Sequence, residues 1–127
     1  MEITTQPSDL HQQINSWKEE VNEVREEVKL MRDRLEQIAL SKAPREVMTL
    51  VERFENRFLR QREVADEMFH DIKQCAKKIS DAPSQVIHDD RPVDDYQTMQ
   101  ERMETFQKLY VELKDDFNHF ITHQGNS

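Results

Sequence analysis

Apolar residues recur along this chain at alternating spacings of four and three, the mark of helices that bury a single stripe. Leu10, Ile14, Trp17, Val21, Val24, Val28, Met31, Leu35 and Ile38 form the first run. Val47, Val51, Phe54, Phe58, Gln61, Ala65, Met68, Ile72, Cys75 and Ile79 form the second, with one polar member. Met99, Met103, Phe106, Tyr110, Leu113, Phe117 and Phe120 form the third. A seam held for this many heptads predicts helices packed side by side as in a coiled coil. The prolines at 7, 44, 83 and 92 all lie outside the runs, and proline is excluded from helix interiors. The chain therefore reads as one domain, residues 1–127, with helices at 8–41, 44–80 and 95–124 and a loop at 81–94.

End signals agree with these bounds. Ser8 and Asp9 suit the cap of the first helix, and Pro44 suits the first position of the second. Asp94 followed by Gln97 has the form of a capping box for the third. Gly125 falls just past the last seam residue, where a left-handed cap is expected.

A short connection near Ser41–Ala43 makes the first two helices antiparallel neighbours. Folding there pairs positions whose numbers sum to 85 or 86: Ile38 with Val47, Met31 with Phe54, Val24 with Gln61, Trp17 with Met68. Off the seam, Glu27 meets Arg57 and Arg32 meets Glu55, while Arg25 against Arg62 is a mismatch. The third helix fits the second with sums of 174 or 175, which stacks Val21, Ala65 and Tyr110 in one layer and Val28, Phe58 and Phe117 in another. Gln61 is expected to fix this register by bonding to the Tyr110 hydroxyl. The fold expected is all-α, an elongated antiparallel three-helix bundle of about 40–50 Å at 1.5 Å rise per residue.

Composition removes many functions. A chain of 127 residues holds a single glycine, where ordinary usage would give roughly nine. Phosphate loops, dinucleotide fingerprints and nucleophile elbows, which need backbone without a Cβ, are excluded. Twenty-six acidic against 18 basic residues leave a net charge of −8, which opposes nucleic-acid and anionic-membrane binding. The lone Cys75 excludes an internal disulfide and a cysteine zinc site, and its seam position marks it as a small buried hydrophobe. No membrane span and no signal-peptide pattern at Met1–Ser8 are visible, so a cytoplasmic location is expected.

The sharpest candidate chemistry is Glu63, Glu67 and His70. Glu67-x-x-His70 has the spacing by which di-iron carboxylate bundles hold metal, with Glu63 one turn earlier. Iron, manganese or zinc would suit such donors. The heptad frame places these residues at c and f positions, away from the seam, so a site there would need completion by a second bundle. Asp116 and His119 repeat the spacing on the third helix, also off its seam. His11 sits beside the seam, His123 lies near a helix C-terminus where a cation suits the dipole, and His88 lies in the Val86–Asp90 loop. Arg53, Arg57 and Arg60 form a basic stripe, expected to face the acids Glu19, Glu20, Glu23, Glu26 and Glu27 of the first helix. Leu59 and Phe69 widen the apolar face of the second helix. No triad of nucleophile, base and acid can be placed.

His70-Asp71-Ile72, Arg102-Met103-Glu104-Thr105-Phe106 and Tyr110-Val111-Glu112-Leu113-Lys114, with Leu10-His11 and Trp17, resemble a group of small bacterial helical-bundle proteins without characterised function. The resemblance spans most of the chain and implies a cytosolic helical bundle, with no activity and no site residues. The function expected is non-enzymatic: a small bundle that self-associates or docks onto a partner protein, since three helices leave grooves for a fourth. The alternative is a carboxylate–histidine metalloprotein using Glu63, Glu67 and His70.

Overall fold

The three periodic runs fold as three helices. α1 spans Pro7–Leu40, α2 Arg45–Asp81 and α3 Tyr96–Gly125. The structure, a computed structural model, describes residues 7–81 and 95–125. Helices of 34, 37 and 30 residues are about 45–55 Å long at 1.5 Å per residue. The fold is an all-α three-helix bundle. The expected loop at 81–94, with His88, lies almost wholly outside the described residues, as do the side chains of Ser8, Asp9 and Ile79.

Nearly every seam residue is buried. Val21, Phe58, Ala65, Ile72, Cys75 and Met99 are completely enclosed. Met31, Ile38 and Val47, at the end where α1 turns into α2, are only half-buried. The α1 and α2 backbones approach each other more closely than α3 approaches either. Side-chain size explains this. The first pair meets through Val21, Val24, Val28, Ala65 and Cys75, whereas α3 points Met99, Met103, Phe106, Tyr110, Phe117 and Phe120 inward. Large residues facing small ones keep the interior dense although one helix stands off.

The α2–α3 register agrees with the sums of 174 or 175. Phe58 and Phe117 meet edge to face at 5.0 Å, and Phe54 reaches Phe120 at 5.1 Å. Arg32 and Glu55 line one groove between α1 and α2, together with Arg25 and Arg62, as the α1–α2 register requires.

Three local expectations are corrected. The α3 cap is Asp95, not Asp94: its Oδ1 accepts from the Thr98 backbone N–H at 2.8 Å. That bond holds the Asp95 carboxyl below its ordinary range. Pro44 is the cap residue rather than the first helical one, since its carbonyl accepts from Met48 N–H. α3 runs through Gly125, and no described glycine has a positive φ. The left-handed residue is instead Lys42, with φ 61°. It follows Ser41, whose N–H and hydroxyl both bond to the Ile38 carbonyl. A side chain in that conformation costs about 1–2 kcal/mol.

Candidate interaction surface

Two kinds of flanking position border the seam of each helix, and the structure gives them different work. Residues just before a buried a position, the g positions, face α3 when they stand on α1 or α2. Glu27 of α1 accepts from the Tyr110 hydroxyl and from Lys114 Nζ, the latter at 3.2 Å. Glu20 accepts from Gln107 at 2.8 Å. On α2, Arg57 donates to Asp116 at 3.0 Å, and Asp71 accepts from Arg102 at 2.8 Å.

The Asp71–Arg102 pair is the most enclosed of these bridges. The Asp71 side chain is 11% exposed and that of Arg102 30%. The same guanidinium stands 3.9 Å from Glu67. Glu27 is held below the ordinary carboxylate range chiefly by the Tyr110 hydrogen bond; burial opposes this, and the Lys114 hydrogen bond and charge lower it further. Burial and the Glu27 carboxylate together push the Tyr110 phenol well above its usual value.

The opposite flank, at the e positions, borders the α1–α2 junction on the side away from α3. It forms a groove of about 920 Å³. Val28 and Leu35, both almost wholly enclosed, form its floor with half-buried Ala39, and charged residues of both signs make the rim. Arg25, Lys29 and Arg62 lie toward one end, with Asp33, Glu36 and Glu55 toward the other, although Glu26 and Arg32 interrupt the segregation. Arg25 avoids its mismatch with Arg62 by reaching Asp66 at 3.1 Å, with its guanidinium over the Phe69 ring. Lys73 lies over the same ring at 5.4 Å. Phe69 is therefore a half-buried ring engaged by two cations, rather than an open apolar strip.

Several expected pairings are not made. Glu27 and Arg57 do not meet, because both are g residues and both turn to α3. The Tyr110 hydroxyl goes to Glu27, so the bond that was to tie it to Gln61 is replaced, and Gln61 stays buried on the seam. The basic stripe does not lie against the α1 acids: Arg57 bridges to Asp116 and Arg60 to Glu63 within α2.

The carboxylate–histidine candidate is drawn into other contacts. Glu63 pairs with Arg60, Glu67 stands near Arg102, and His70 is exposed. Among the described residues no three His, Cys, Asp or Glu side chains come together as a metal-holding group. Asp116 is engaged by Arg57, while His119 stacks on His123. His11 is half-buried at the start of α1, and Cys75 is enclosed and takes part in no disulfide. No helix among the described residues is long and apolar enough to cross a membrane. The residues missed in the sequence are Asp71 and Arg102, whose only signal was opposite charge at g positions of α2 and α3.

No protein-family model matches the chain, and no curated protein or solved structure matches it at a significant level.

Proposed function

We propose that this chain acts without catalysis, as a small cytoplasmic bundle that associates through the groove between α1 and α2, with a second copy of itself as partner. The observation that carries this reading is the groove itself. Its floor is the enclosed Val28 and Leu35 with half-buried Ala39, its sides are charged residues of both signs, and it lies on the face that α3 leaves uncovered. Its rim supports a like partner. In an antiparallel two-fold pairing, the Arg25, Lys29 and Arg62 end of one copy meets the Asp33, Glu36 and Glu55 end of the other. Two-fold contacts of this kind are self-complementary by construction, and complementary charge fixes orientation more than it adds affinity.

Sedimentation equilibrium of the full chain tests the proposal. A dimer is expected that weakens in Lys29→Glu and in Glu36→Lys, and is restored when both reversals are combined. A monomer at all concentrations, or a dimer indifferent to both reversals, would overturn it.

A further inference from the structure

We propose that His119 and His123, on the exposed face of the last turns of α3, form a two-imidazole site for one divalent transition-metal ion. The site is separate from the α1–α2 groove and from Glu63, Glu67 and His70. Residues four apart on a helix lie one above the other, and here the two rings stand 5.8 Å apart between centroids at an interplanar angle of 23°. A zinc ion lies about 2.0–2.1 Å from each ligating imidazole nitrogen, which sets two rings sharing an ion roughly 5–6 Å apart. The observed separation is already in that range. Both residues are exposed, so the rings can rotate to converge their nitrogens without disturbing the core.

Two histidines at this helical spacing form the ligand pair of helix-borne zinc sites. The intervening Phe120 is buried in the core, and no glutamate follows His119, so binding rather than hydrolysis is the chemistry implied. Electrostatics favour a cation here. α3 ends at Gly125, and the partial negative charge of a helix C-terminus stabilises positive charge within its last turn. Asp115 adds negative charge one turn before His119, while Asp116 is paired with Arg57. Imidazole donors select zinc, nickel or copper(II) over magnesium and calcium, which prefer all-oxygen shells.

Isothermal titration of the full chain with zinc, nickel and copper(II) chlorides tests the site, alongside the electron paramagnetic resonance of the copper(II) form. One ion per chain is expected, with nitrogen hyperfine structure from two imidazoles and a thermal midpoint that rises with metal. Losing an outer-shell partner already weakens metal binding about 10–100-fold, and losing a ligand costs at least as much. His119→Ala and His123→Ala should each show that loss, with metal-free thermal midpoints unchanged because both side chains are exposed. His70→Ala should bind as the parent does. Absence of binding by all three ions, or binding that survives in the two variants, would overturn the proposal.

Discussion

The two ends of the bundle are closed by different means. Where α1 turns into α2, four phenylalanines from two helices interlock: Phe54, Phe58, Phe117 and Phe120 make mutual ring contacts of 5.0 to 6.2 Å. At the far end the core is built from Met68, Ile72, Cys75, Met99 and Met103. Trp17 stacks on Tyr96 there at 5.1 Å, and the Asp71–Arg102 bridge flanks the seam. Rigid rings hold one geometry, whereas methionine adapts to several. The methionine end therefore gains its specificity from polar devices that tolerate little displacement, namely the Asp71–Arg102 bridge and the Asp95 cap. At the phenylalanine end the interlocked rings dominate, and the bridge beside them, Arg57–Asp116, is exposed.

The largest effect should come from breaking the phenylalanine end. Phe58→Ala and Phe117→Ala remove completely or almost completely buried rings, and such truncations cost about 3–5 kcal/mol. Urea denaturation should show each loss, with the double variant less destabilised than the sum because the rings touch. At the other end, Arg102→Met removes the guanidinium that donates to the enclosed Asp71 carboxylate and should cost about 1–3 kcal/mol. Adding Asp71→Leu should recover part of that loss, since an apolar pair often replaces a buried ion pair without penalty. A double variant less stable than Arg102→Met would show that the bridge does more than pair charges.

The smallest effect lies between the two ends, at Glu27 and Tyr110. The lowered Glu27 carboxyl contributes stability that is present above its ordinary value of 4.5 and lost as pH falls through the lower folded value. The raised Tyr110 phenol has the opposite sign. Its contribution is present below its ordinary value of 10 and lost as pH rises beyond that toward the folded value. Tyr110→Phe should cost about 0.5–1.5 kcal/mol near neutrality. The gap between variant and parent should close in acid and again above pH 10, as measured by denaturation at several pH values.

The seam was legible because burial follows a helical period, and periodicity survives in a single sequence. The pairing of Phe58 with Phe117 followed from it once two helices were antiparallel. The flanks were not legible, because the seam of a three-helix bundle does not say on which side of the α1–α2 pair the third helix lies. That choice decides whether g or e residues face α3. Placed as it is, α3 takes Glu27 and Arg57 away from each other and leaves the e-side groove open. Asp71 and Arg102 stayed hidden for the same reason, since their meeting depends on how α3 is rotated. The Lys42 turn escaped for a different reason. Glycine is the usual left-handed residue, and nothing local distinguishes a lysine that bears that strain.

The four residues between Leu40 and Arg45 also bear on the order of assembly. Closing so short a loop costs little chain entropy, and neighbouring contacts form before distant ones. α1 and α2 can zip together from that turn, valines against alanine and cysteine, before α3 arrives. In the folded molecule the same asymmetry runs backward. The helix that docks last, α3, is expected to open first and leave the hairpin, which hydrogen exchange would read as faster exchange across Tyr96–Gly125 than in α1 and α2.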